Sequence, residues 1–252
     1  MCGLYARQSN KIENHRIVRT MIIQNRLSCL ILDCDGVFVD SEPIAARALT
    51  AALAETGLCA AEHDVMRLCA GKSREAILEA LAGLGVKNPA ACLRRKEALE
   101  AVRLQKDLQA LPGVIPVLGH LSRNGIPFCI ASNSPHRRLA LTLGAAGIRR
   151  LAGGRVFSAE EVRAGKPDPA LLLHAADMMG FYPEECLVID DSPSGIEAAC
   201  RAGMPAVGFP GSNRQGPAWE ETLLQAGASS LISRFSSIPA LLSRLSVLRM
   251  AA

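Results

Sequence analysis

Residues 29–40 read CLILDCDGVFVD. Four apolar residues, Cys29 to Leu32, run without alternation into Asp33 and Asp35, with Cys34 between the two acids. An unbroken apolar run of this kind is the pattern of a strand buried on both faces, as in a parallel sheet covered by helices. Carboxylates are costly to desolvate and costly to bring together. A buried strand that ends in two of them therefore needs a chemical reason.

Working outward, the same strand pattern recurs at Phe128–Ser132, Arg155–Ser158, Cys186–Asp190, Ala206–Phe209 and Ser230–Ser233. Helical patterns lie between these runs. Ser134-Pro135 and Asp168-Pro169 each read as a capping side chain before a proline at the first helical position. Ser194-Gly195-Ile196-Glu197 reads as a capping box ahead of a helix that stops at Gly203. Alternation of this kind predicts an α/β fold with a doubly wound parallel sheet, a Rossmann-like core. Residues 43–111 break the alternation: they hold four helical stretches separated by Gly57, Gly71 and the Gly83–Pro89 segment, with no good strand. They read as an inserted α-helical cap domain, with residues 21–42 and 112–252 as the core and residues 1–20 as a loose N-terminal extension.

The chain has 252 residues, 49% of them hydrophobic and 21% charged, which fits a soluble globular protein with a sizeable core. Its net charge of +4 sits in residues 1–28, where Arg7, Lys11, Arg16, Arg19 and Arg26 face Glu13 alone. The remainder balances, so a nucleic-acid partner is not expected. No apolar run approaches the ~18 residues of a membrane helix, and no membrane partner is expected. The nine cysteines are scattered without a CxxC pair, which predicts free thiols and a cytoplasmic protein. A monomer or weak homodimer is expected.

In an open parallel sheet the ligand crevice lies at the carboxyl ends of the strands. Asp33 and Asp35 fall there after the first strand, Ser132 and Asn133 after Phe128–Ser132, and Asp190 and Asp191 after Cys186–Asp190. Lys166 lies in the loop GKPDP. Four carboxylates at one edge require a positive charge between them, and a hard dication with oxygen ligands, Mg2+, supplies it. The same ion would neutralise a phosphate brought to the acids. Lys166 adds a second positive charge, Ser132 a hydroxyl donor, and the helix after Ser134 a favourable N-terminus. The arrangement reads as a phosphoryl-transfer site, with Asp33 as the nucleophile and Asp35 as the general acid and base.

DCDGVFVD, SNS, GKPDP and IDDSPSG, in that order, resemble the four motifs of the haloacid dehalogenase superfamily of phosphohydrolases. The closest likeness is to the branch of β-phosphoglucomutase and the small sugar-phosphate phosphatases. The resemblance spans about residues 27–240 and includes the helical cap. It implies a metal held by the side chains of Asp33 and Asp191 and the backbone carbonyl of Asp35, with Asp190 nearby or acting through water. It implies phosphate binding by Ser132 and Lys166 with help from the Asn133 backbone, a mobile flap at Gly36–Asp40, and a cap that closes over a small phosphate ester. The second acid of DCD sets the chain apart from the halide-removing members. Ala45 stands where mutase-like members carry a histidine, which favours simple hydrolysis. Lys72 and Arg74, in GKSR, resemble the mutase loop that contacts a substrate's far phosphate; they read equally well as solvated charges at a helix start. The expected activity is a Mg2+-dependent phosphatase acting on a sugar or sugar-acid phosphate through an aspartyl-phosphate. The alternatives are a phosphosugar mutase and, more distantly, a non-enzymatic receiver-like phospho-acceptor.

Overall fold

A computed structural model of the chain describes residues 27–69, 74–211 and 216–245. Six strands form one parallel sheet in the order β3-β2-β1-β4-β5-β6. They are β1 (Cys29–Leu32), β2 (Phe128–Ser132), β3 (Val156–Ser158), β4 (Cys186–Asp190), β5 (Ala206–Gly208) and β6 (Ser230–Leu231). β1 pairs with β2 through Leu30 and Phe128 and with β4 through Cys29 and Cys186. The chain winds outward from β1 to β3, then returns to the other side of β1. The switch point therefore falls between β1 and β4, where this class of fold binds ligands.

Each central strand divides its side chains between two apolar layers. Leu30, Leu32, Phe128, Ile130, Leu187 and Ile189 pack on one face with α5 (Val114–Arg123) and α11 (Ile238–Arg244). Cys29, Ile31, Cys129, Ala131, Cys186 and Val188 pack on the other with α8 (Ala170–Met179) and α9 (Pro193–Arg201). Burial on both faces is why the sequence shows continuous apolar runs here.

Four helices are inserted between β1 and α5: α1 (Glu42–Ala54), α2 (Glu62–Cys69), α3 (Arg74–Gly83) and α4 (Pro89–Asp107). They share a third apolar cluster that includes Leu49, Leu53, Val65, Leu81 and Cys92. The chain enters and leaves this insertion side by side. Val39 forms an antiparallel bridge to Ala110, and the Leu111 amide donates to the Phe38 carbonyl at 2.8 Å.

The helix starts differ from the sequence reading in three places. α6 (His136–Ala145) begins after Pro135 with no cap from Ser134; the His136 amide donates instead to Glu160 Oε2, at 2.9 Å. α8 begins at Ala170, one residue later than expected, with its amide donating to Asp168 Oδ1 at 2.9 Å. α9 begins at Pro193 and is capped by Ser192, whose Oγ accepts from the Gly195 amide at 3.1 Å. Proline fits the first helical turn because it has no amide to satisfy, so Pro193 moves the cap two residues back, from Ser194 to Ser192. Residues 1–20 lie outside the described residues.

Candidate active site

β1 delivers Asp33 to the switch point still tied into the sheet, its amide donating to the Ile189 carbonyl at 3.0 Å. β4 delivers Asp190 and Asp191 beside it. The three acids offer ligand atoms that all lie within 4.8 Å of one another. Burial is the main force raising the Asp191 carboxyl well above the usual range, reinforced by Asp190 and Asp33. Burial and Asp190 likewise push Asp33 up, against the pull of Lys166. Two acids held in this way favour a neighbouring cation, and their all-oxygen donor set suits a hard one. The residues present therefore fit a divalent metal. The Asp35 carboxylate is not part of this cluster; its expected share is through the backbone carbonyl alone.

Gly36 makes the close approach possible. Its φ is +83°, and a Cβ there would stand 2.0 Å from Asp191 Oδ2, so only glycine lets the loop after β1 lie against that carboxylate. Gly195 does the same for α9: a Cβ would stand 1.9 Å from Asp190 Cγ. Asp190 is fully committed to its neighbours. Its Oδ1 accepts from the Ser192 amide at 2.9 Å and the Ser192 hydroxyl at 2.7 Å, and its Oδ2 accepts from Lys166 Nζ at 2.7 Å.

Lys166 is the buried cation of the cluster, with Nζ also donating to Asp33 Oδ1 at 2.5 Å. Burial works against its charge, yet Asp190 and Asp33 more than compensate and hold the ammonium protonated. Asn133 fixes the loop that carries it, because its side-chain oxygen accepts from the Lys166 amide at 2.8 Å and its amide donates to the Lys166 carbonyl at 2.9 Å. Buried Ser132 lines the cleft, and its Oγ accepts from the Ser134 amide at 3.2 Å.

Asp35 has a separate set of partners. Its Oδ1 accepts from Ser41 Oγ at 2.5 Å; its Oδ2 accepts from Ser134 Oγ at 2.9 Å and from Arg138 Nη1 at 2.5 Å. Burial alone would raise its pKa, but Arg138, Ser41 and Ser134 outweigh it and hold the carboxyl below the usual range. Asp33, Asp35, Ser132, Asn133, Lys166 and Asp191 thus surround one cleft of about 330 Å³, which Glu42, Ser134 and Ser194 also line. Arg74 opens α3, and Lys72 lies outside the described residues. The first amide of α6 is taken by Glu160, so that helix start offers fewer donors to a phosphate than its sequence suggested.

The sequence reading missed Ser41, Glu42, Glu100 and Arg138, and it read Ser134 as a cap. Ser134 and Arg138 are one helical turn apart, and their direct contact, Nη1 to Oγ at 2.8 Å, was discernible from that spacing. Glu100 gave no signal, since only the tertiary fold brings α4 to α6.

Residues 27–203 match the family model of haloacid dehalogenase-like hydrolases. The chain is 28% identical over 191 residues to a 6-phosphogluconate phosphatase of Escherichia coli (strain K12), covering 73% of this chain and 83% of the relative. It is 33% identical over 184 residues to hexitol phosphatase A of the same organism, covering 72% and 82%. A crystal structure of a family hydrolase from Deinococcus radiodurans R1, with bound phosphate and sodium, superimposes with a TM-score of 0.75 at 31% identity, covering 90% of this chain and 99% of that one. With the acids, the lysine and the serine of all four motifs around one cleft, the chain belongs to the haloacid dehalogenase-like hydrolases, and the two curated relatives named above are phosphatases.

Proposed function

We propose that the protein is a Mg2+-dependent phosphatase that hydrolyses a small phosphorylated sugar, polyol or sugar acid through an aspartyl-phosphate. The observation that carries this reading is Lys166 Nζ bridging Asp33 and Asp190 at 2.5 and 2.7 Å, in the cleft that Asp35, Ser132 and Asp191 share. The named activities of the two curated relatives support a sugar-related ester. Asp33 and Asp191 are the side chains that would hold the metal, with the Asp35 carbonyl, and Asp190, tied to Ser192 and Lys166, would stand beside it or act through water. The ion would supply positive charge against the phosphate oxygens and so reduce the repulsion between phosphate and carboxylate.

The chain's own groups do the rest. Lys166 and the Ser132 hydroxyl orient the phosphate so that the Asp33 carboxylate faces phosphorus in line with the leaving oxygen. The Asp33–phosphorus bond forms as the phosphorus–alcohol bond breaks. Asp35, which Arg138, Ser41 and Ser134 hold ionised in this arrangement, takes up a proton beforehand, on losing donors among them, and passes it to the departing oxygen. Asp35 then takes a proton from water, which attacks the phosphorylated Asp33; inorganic phosphate leaves and the carboxylate is restored. Ala45, on α1, brings a methyl group where a mutase of this family brings an imidazole, which favours transfer to water over return to sugar. In this reading residues 43–111 form the cap, residues 21–42 and 112–252 form the core, and Lys72 and Arg74 meet the substrate's distal end. The free thiols suit a reducing compartment, the cytoplasm. No helix among the described residues is long and apolar enough to cross a membrane.

The test is phosphate release from a panel of phosphorylated sugars, polyols and sugar acids, with and without EDTA. Turnover that stops with EDTA and returns with Mg2+, and that is lost in Asp33→Asn, is the expected result. Undiminished turnover by Asp33→Asn would refute the nucleophile.

A further inference from the structure

Of the two side chains that would hold the metal, Asp33 is tied into the sheet through its own amide, whereas Asp191 lies one residue past the end of β4. Toward β5 the ladder reaches the Asp190 carbonyl, which accepts from the Phe209 amide at 2.8 Å. Toward β1 it reaches the Ile189 carbonyl, which accepts from the Asp33 amide at 3.0 Å. Two residues further on, the Asp191 carbonyl accepts from a side chain instead: Trp219 Nε1 donates to it at 3.2 Å. Trp219 is the one tryptophan of the chain. It stands in the first turn of α10 (Pro217–Gln225), outside the span 27–203 that matches the family model.

The indole is anchored at one end and polar at the other. Its ring is half-buried and packs on the apolar layer that holds Ile196 and Ala199 of α9. Its nitrogen is a donor with no acceptor capacity, and a ring held by packing leaves that donor little freedom. The Asp191 carboxylate is confined from another side. It lies against Gly36, and Gly211, with φ of +69°, brings the chain after β5 close as well: a Cβ there would stand 3.7 Å from Asp191 Oδ2 and 3.5 Å from the Gly36 carbonyl oxygen. Asp191 is 8% exposed, so water is poorly placed to stand in for the indole. Turning the peptide after Asp191 would swing the Cα–Cβ direction and carry the carboxylate off its place beside Asp33. Mg2+ tolerates such a shift badly, because it demands near-octahedral oxygen geometry.

We propose that Trp219 is a positioning residue for the metal: by holding the Asp191 carbonyl, its indole N–H sets the direction of the Asp191 carboxylate and with it the affinity of the site for Mg2+. Partners that orient a ligand from outside the coordination shell govern affinity in this way. The inference rests on the reading that Asp33 and Asp191 hold the ion.

The experiment compares the unaltered protein with two replacements of Trp219. Trp219→Phe keeps an aromatic ring on the apolar layer and removes the donor. The second carries benzothienylalanine at the same position, which keeps the bicyclic shape and puts sulfur in place of the N–H. A thermal melt checks that each is folded. The first readout is the Kd for Mg2+ by isothermal titration calorimetry, with no substrate present. The second is kcat for an aryl phosphate as Mg2+ is raised. Both variants are expected to bind Mg2+ about tenfold more weakly and to regain the kcat of the unaltered protein once Mg2+ saturates, a split that general damage to the fold would not produce. Unchanged Mg2+ affinity in the sulfur analogue would overturn the inference, and so would a loss of kcat that saturating Mg2+ does not restore. If Trp219→Phe does not fold, the analogue, which matches the indole in shape, decides. Asp191→Asn keeps the two readings apart. If the unaltered protein takes up no Mg2+, or Asp191→Asn takes it up equally well, the metal assignment fails and the inference with it. If Asp191→Asn binds more weakly while the Trp219 variants do not, only the positioning role fails.

Discussion

Replacing Lys166 with methionine keeps the stem and removes the one ammonium that Asp33 and Asp190 share. The side chains of Lys166 and Asp190 are 4% and 1% exposed and that of Asp33 is 11% exposed, so water cannot take over the lost contacts. Breaking a buried pair from one side costs about 3–5 kcal/mol, because the surviving charges are left uncompensated. For a chain of 252 residues, each kcal/mol moves Tm by about 2–4 °C, which gives a fall of roughly 6–20 °C in metal-free buffer by scanning calorimetry. The same reasoning fixes the response to metal. A ligand that binds only the folded chain stabilises it by about 2.7 kcal/mol at one hundred times its Kd. The variant's carboxylates attract a dication more strongly, so Mg2+ should raise its Tm by more than it raises that of the unaltered protein. A Tm fall below about 3 °C, or equal gains from Mg2+ in the two proteins, would refute the account of Lys166 as the resident countercharge.

Gly195→Ala would place its Cβ 1.9 Å from the pinned, buried Asp190; overpacking of this kind costs about 1–3 kcal/mol or more, and phosphatase activity should fall with Tm. Leu81→Ala, in the insertion's own cluster, should cost about 2–5 kcal/mol, and hydrogen exchange should rise in α1 and α4 while β1 and β4 keep their protection. Equal loss of protection in the sheet would show that the insertion is not a separate unit. The Glu161 carboxyl is pushed up by burial but brought below its usual range by the Ser158 amide, His174 and His136. Its stabilising contribution is therefore complete above the unfolded value of 4.5 and is lost as pH falls through the lower folded value. Thermal melts should show Glu161→Gln less stable than the unaltered protein at pH 6 and the two converging toward pH 3.

Much of the site was legible before folding was considered. The acids of DCD and IDD, Ser132, Asn133 and Lys166 each follow a strand or open a helix. Strand order and parallel pairing then leave them no place except one edge of the sheet. That inference needs only the period of the apolar runs and the chemistry of carboxylates, which are local properties of the chain. The caps were less legible. Ser134 has the composition of a cap, but its hydroxyl is drawn to Asp35, while Glu160 arrives from the β3 loop to satisfy α6.

The sequence by itself determined the sheet, the inserted helices and the residues at the mouth of the fold, because burial imposes its period residue by residue. Only the tertiary structure decided how those residues are held: Glu100 meets Arg138 across 38 positions of chain, and Gly36 lies against Asp191. Contacts of this kind depend on how helices pack across a sheet edge, and packing distances between distant segments leave no periodic mark in the order of amino acids.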